Sequence, residues 1–172
     1  SAASDVYKRQ DQFNTVMDYI EKGKAEGATL VTGGERYTEG ECVKGFFIKP
    51  TIFDNCTPDM TIVKEEIFGP VVTIQTFKTE QEAIDMANDT EYGLAGMVFT
   101  SDGAKSLRVT KEIRAGIIWI NCNQPAFNEA PWGGYKMSGI GRALGAYGLE
   151  EYQEVKQINI ALNPGPVGWY EN

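Results

Sequence analysis

The chain has 172 residues, 24 Asp plus Glu against 16 Lys plus Arg, no histidine and a formal charge of −8. That acidic balance argues against nucleic acid as a partner, and the absence of imidazole removes Ser-His-Asp and Cys-His catalysis together with histidine-based metal ligation. With about 100–200 residues to a domain, the length allows one sizeable core without promising a self-sufficient one.

Gln12 to Glu26 places Phe13, Val16, Met17 and Ile20 at helical spacing, with Gly27 as C-cap, and predicts an amphipathic helix. A short strand is expected at Ala28 to Thr32. A turn and exposed loop should run from Gly33-Gly34 to Gly45, and an extended stretch from Phe46 to Phe53, where Pro50 marks an edge or the end of a ladder. From Val71 the pattern is strand (VVTIQTF), helix (Glu80 to Asn88), strand (Leu94 to Thr100), helix (Ala104 to Ile113), strand (Gly116 to Asn121). Two right-handed crossovers would make those strands parallel neighbours and aim their C-terminal ends at site-bearing loops. The loop after Asn121 is dense in Gly, Asn and Pro; a short helix near Leu144 to Glu151 and a final strand, Tyr152 to Ile160, are expected beyond it.

Cys42, Cys56 and Cys122 form no CxxC pair and leave one thiol over in any single disulfide, which points to reduced cysteines and a cytoplasmic protein. No run approaches the ~18 apolar residues of a membrane span, so no membrane partner is expected. Gly139, Gly141 and Gly145 miss the GxGxxG spacing and follow no strand, so a dinucleotide loop is rejected there. Cys122 stands at the mouth of a strand but has no neighbouring cation to stabilise a thiolate, and reads as structural. Glu65-Glu66 is a solvated charge pair at a turn or a carboxylate acceptor for ribose hydroxyls, with Phe68 as core or as the flank of a planar ring. Trp132, in a loop, either packs or lines a pocket, where its indole face would favour a quaternary ammonium. No metal site is read.

Four segments, KEEIFGPV at Lys64 to Val71, NDTEYGLAG at Asn88 to Gly96, AGIIWIN at Ala115 to Asn121 and PWGGYKMSGIGR at Pro131 to Arg142, resemble in order and spacing the C-terminal part of NAD(P)-dependent aldehyde dehydrogenases. NQPAFNEAPWGG and the ending NPGPVGWYEN look most like the betaine-aldehyde and ω-aminoaldehyde branch. The resemblance implies a three-layer α/β/α catalytic-domain portion with a mainly parallel sheet and a C-terminal oligomerisation strand. Residues 1–10 would be a non-native leader, 11–151 a partial catalytic domain and 152–172 the strand and tail. Glu66 would bind the nicotinamide ribose and Phe68 would pack beside the nicotinamide of NAD or NADP, while Trp132, Gln124 and Ala126 would border the aldehyde. The opening helix would also approach the cofactor near Gln12. In that family a cysteine thiolate attacks the aldehyde, hydride passes to the cofactor and a base assists thioester hydrolysis. Nucleophile and base both precede the region matched, so no catalytic residue is assigned, the chain by itself is expected to be inactive, and the full enzyme is expected to be a homodimer or homotetramer. The alternative is a noncatalytic assembly module that pairs through Tyr152 to Ile160.

Overall fold

The computed structural model describes residues 2–122, 125–162 and 165, with side chains from Arg9 onward. Two compact units result, one of residues 1–90 and 111–113, the other of residues 91–110 and 114–172.

The first unit opens with α1 (Ala2–Ala25), which starts earlier than hydrophobic spacing indicates because residues 2–11 contain no Gly or Pro to stop it, although they lack the apolar stripe that betrays a helix. Strands β1 (Thr29–Thr32), β2 (Thr51–Asp54) and β3 (Val71–Thr73) form a three-stranded sheet with β2 in the centre. The β1–β2 pair is antiparallel and the β2–β3 pair parallel. Pro50 therefore marks the beginning of a central ladder, and most of the segment from Phe46 to Pro50 stays outside it. Val16, Ile20 and Phe53, with Ala28, Cys56, Met60, Ile62 and Ile67, make the core. The short α2 (Thr61–Lys64) is capped by Glu26, whose carboxylate accepts the Thr61 amide at 2.7 Å. α3 (Glu80–Asn88) begins as expected, Thr79 Oγ1 accepting the Glu82 amide at 3.1 Å.

In the second unit, β4 (Tyr92–Gly93) pairs antiparallel with β7 (Tyr135–Lys136), a ladder of two residues a side that is too short for periodicity to reveal. β5 (Ala95–Val98) pairs parallel with β6 (Ile117–Ile120), joined by α4 (Gly103–Glu112), the crossover read from sequence. α5 (Gly145–Glu150) follows the long loop.

One expectation needs correction. The strand at Val71 is not in one sheet with the two after it: β3 pairs with β2, because Thr51 and Phe53 are aligned with Val71 and Thr73 in register. The stretch from Tyr152 to Ile160 joins no ladder among the described residues; its alternation fits a strand, but a strand needs a partner edge, and Val155, Ile158 and Ile160 stand exposed. No helix among the described residues is long and apolar enough to cross a membrane.

Candidate functional site

In the first unit one stripe of α1 supports the turn between α2 and β3. Gln12, Val16 and Tyr19 fall at i, i+4 and i+7, on one helical face. Gln12 Nε2 donates to the carbonyl of Phe68 at 2.9 Å and to that of Ile67 at 3.4 Å. Tyr19 donates its hydroxyl to Glu65 Oε2 at 2.7 Å. Between them Val16 meets Gly69 so closely that a Cβ there would lie 2.6 Å from a valine methyl.

These contacts anchor the turn at Glu65, Ile67, Phe68 and Gly69. Ile67 is buried against the core, whereas Phe68, at φ 55°, is 76% exposed. A left-handed Phe is costly unless neighbours enforce it, and the two carbonyl bonds from Gln12 do so. Glu66 lies between the tied Glu65 and buried Ile67; its carboxylate is exposed and makes no hydrogen bond or ion pair among the described residues. A cavity of about 650 Å³ beside the turn is walled by Phe13, Phe46, Phe47 and Phe68, with Arg9 and Lys44 also lining it. Flat apolar walls suit a planar ring, an acceptor-only carboxylate suits sugar hydroxyls, and cations suit an anion.

In the second unit Trp132 is half-buried and held by its own backbone: it exchanges two hydrogen bonds with Ala143, at 2.6 and 2.7 Å, closing the intervening loop. Gly116 permits this, since any Cβ on it would overlap the Gly133 carbonyl oxygen. Arg142 crosses the loop, donating to the Gly134 carbonyl at 3.0 Å and lying 5.4 Å from the Tyr135 ring centroid. Trp132, Arg142, Asn128 and Glu151 are among the walls of a cavity of about 800 Å³. Ala126 is exposed and is not among that cavity's described lining residues, and Gln124 lies outside the described residues.

The thiols differ by position. Cys122 is exposed at the end of β6, Cys42 is half-buried, and Cys56, which its loop-like sequence left without a role, belongs to the core, where burial pushes its pKa up. A protonated core thiol packs as a small apolar group. No three His, Cys, Asp or Glu side chains among the described residues converge as metal ligands.

Two residues touching these sites carry no role in the sequence reading: Tyr19, bonded to Glu65, and Trp119, whose ring centroid lies 6.2 Å from that of Trp132. Tyr19 could have been found from its place on the stripe with Gln12 and Val16. Trp119 has no such signal, because inside a strand it reads as plain core.

Residues 7–158 match the aldehyde dehydrogenase family. The chain belongs to that family. It is 50% identical over 161 residues to betaine aldehyde dehydrogenase, chloroplastic, of Atriplex hortensis, with 94% of this chain and 32% of the relative covered. Identity is 49% to aminoaldehyde dehydrogenase 2, peroxisomal, of Pisum sativum (94% and 32% covered) and 53% to betaine aldehyde dehydrogenase of Bacillus subtilis (91% and 32% covered). A crystal structure of betaine aldehyde dehydrogenase from Staphylococcus aureus in complex with NAD+ superposes with a TM-score of 0.88 at 49% identity, over 94% of this chain and 32% of that one. This aldehyde dehydrogenase segment thus spans about a third of the length of these relatives, and its α/β fold is theirs.

Proposed function

We propose that the 172 residues are the C-terminal part of an enzyme that oxidises betaine aldehyde or an ω-aminoaldehyde to the carboxylate with NAD(P)+, contributing cofactor and substrate contacts but neither nucleophile nor general base. The observation that carries this reading is the pairing of an unpartnered, exposed Glu66 carboxylate with an outward-facing Phe68 on a turn fixed by Gln12. That arrangement fits the nicotinamide half of a dinucleotide: Glu66 would accept hydrogen bonds from two ribose hydroxyls, and Phe68 would flank the ring. Bound NAD(P)+ supplies the hydride acceptor. Trp132 would offer its indole face to the trimethylammonium group, with Ala126 and Gln124 bordering the entrance. Cys122 is not the nucleophile: no cation adjoins it in sequence, and the resemblance places the reactive thiol upstream.

In this reading the chain completes a three-layer α/β/α catalytic domain within residues 11–151, and residues 152–172 supply a strand and tail for joining subunits of a homodimer or homotetramer. The cytoplasm suits reduced thiols, while relatives named chloroplastic and peroxisomal keep organelles open as addresses. Incubation of the 172 residues with NAD+ and betaine aldehyde is expected to give no NADH; appreciable turnover would overturn the division of labour.

A second reading, a noncatalytic assembly module, draws on the exposed apolar row Val155, Ile158 and Ile160 in a segment with no partner strand among the described residues. Coding sequence immediately upstream separates the two: a continuous frame with a cysteine motif supports the enzyme, and a start codon there supports the module.

A further inference from the structure

We propose that Trp119 is a positioning residue for the substrate channel, holding with one indole both the start of the channel loop and the ring of Trp132. The inference rests on the reading of Trp132 as the cation wall. Trp119 sits on β6, is only 8% exposed, and its partner across the ladder is Met97 on β5. Its ring nitrogen donates to the carbonyl of Pro125 at 3.1 Å, one residue before Ala126. Its ring meets that of Trp132 with centroids 6.2 Å apart and planes tilted by 57°, within the range of attractive aromatic pairs.

The loop between these two contacts has little else to locate it. Residues 126–131 are all exposed, and the described backbone bonds there are a local turn, Ala130 to Phe127, and the Gly145 amide on Asn128. At Trp132 the Ala143 bridge fixes the backbone but leaves χ1 and χ2 free. The aromatic ring against which the indole comes to rest is that of Trp119. A buried indole N–H needs an acceptor, and here that acceptor is the Pro125 carbonyl leading into Ala126, so losing the N–H frees that end of the loop, and a smaller ring leaves the Trp132 indole less to rest on. Because a cation is attracted to the face of an indole and not its edge, turning Trp132 weakens recognition of trimethylammonium while leaving a neutral group of the same shape nearly unaffected.

The test uses the full-length enzyme carrying this segment, with betaine aldehyde and its uncharged isostere 3,3-dimethylbutanal. Trp119→Phe keeps a flat ring and loses the N–H; it is expected to raise KM for betaine aldehyde about fivefold, a fraction of a desolvated cation–π contact, with kcat little changed and the isostere unaffected. Loss of fold would instead lower kcat for both aldehydes, which the KM split distinguishes. In the 172-residue chain, the same variant is expected to move the Trp132 indole N–H resonance; an unmoved resonance overturns the proposal whatever the substrate. Trp132→Ala is the reference. If it affects both aldehydes equally, the reading of Trp132 falls; if it selects against betaine aldehyde while W119F does not, the role of Trp119 alone falls.

Discussion

The side-chain amide of Gln12 reaches from the first helix to the carbonyl oxygen of Phe68, 56 residues away in sequence, at 2.9 Å. This bond secures a left-handed residue whose ring is exposed. Gln12→Ala is expected to cost about 1 kcal/mol and to speed amide exchange around residues 66–70 severalfold. Gln12→Glu should be worse than alanine, because it sets an anion against two carbonyl oxygens. Hydrogen exchange read by mass spectrometry checks both, and exchange at this turn unchanged in either variant would show that Gln12 does not hold it.

Glu66 is expected to act on cofactor binding and not on folding, since no described neighbour depends on its charge. In the full-length enzyme, Glu66→Gln should raise KM for the cofactor about tenfold, the cost of weakening charge-assisted hydrogen bonds, while leaving the melting temperature within a degree or so. Steady-state kinetics beside a thermal melt would separate the two effects.

Phe53 is the largest fully enclosed side chain among the described residues, on the central strand under α1. Phe53→Ala should destabilise the first unit by about 3–5 kcal/mol through lost transfer energy and the cavity left behind. Urea unfolding followed by circular dichroism measures it.

Gly116→Ala is expected to cost about 2 kcal/mol or more, because the added methyl meets the backbone oxygen of Gly133 and no flexible side chain can yield. The same substitution should loosen the Trp132 loop, detectable as a red shift of tryptophan emission.

Asp102 caps α4 by accepting the Lys105 amide at 2.9 Å, and that hydrogen bond holds its pKa below the usual carboxylate value. A depressed folded pKa means that the stabilisation is complete above the unfolded value near 3.9 and disappears as pH falls through the folded one. Thermal melts should therefore show the Asp102→Asn difference from wild type shrinking below about pH 4.

Much of this arrangement was legible beforehand. The helices at Glu80 and near Ala104, with the strands at Leu94 and Gly116, follow from periodicity and capping, which are local properties. What escaped reading depends on distant partners. The β4–β7 ladder joins residues too few to show a period, and the alignment of Val71 with Thr51 rests on tertiary register. Glu66 and Phe68 were marked by resemblance; the reason they face outward, a three-residue stripe on α1, becomes apparent only when helix and turn are seen together. Cys56 lies in loop-like sequence, which gives no hint that it belongs to the core.

The graded placement of the three thiols makes the chain its own folding clock. An alkylating reagent added to the native protein should modify Cys122 at once and Cys42 more slowly, and should reach Cys56 only when the first unit opens. Counting adducts against time then yields the opening free energy of that core from a single mass spectrum series, with no probe introduced.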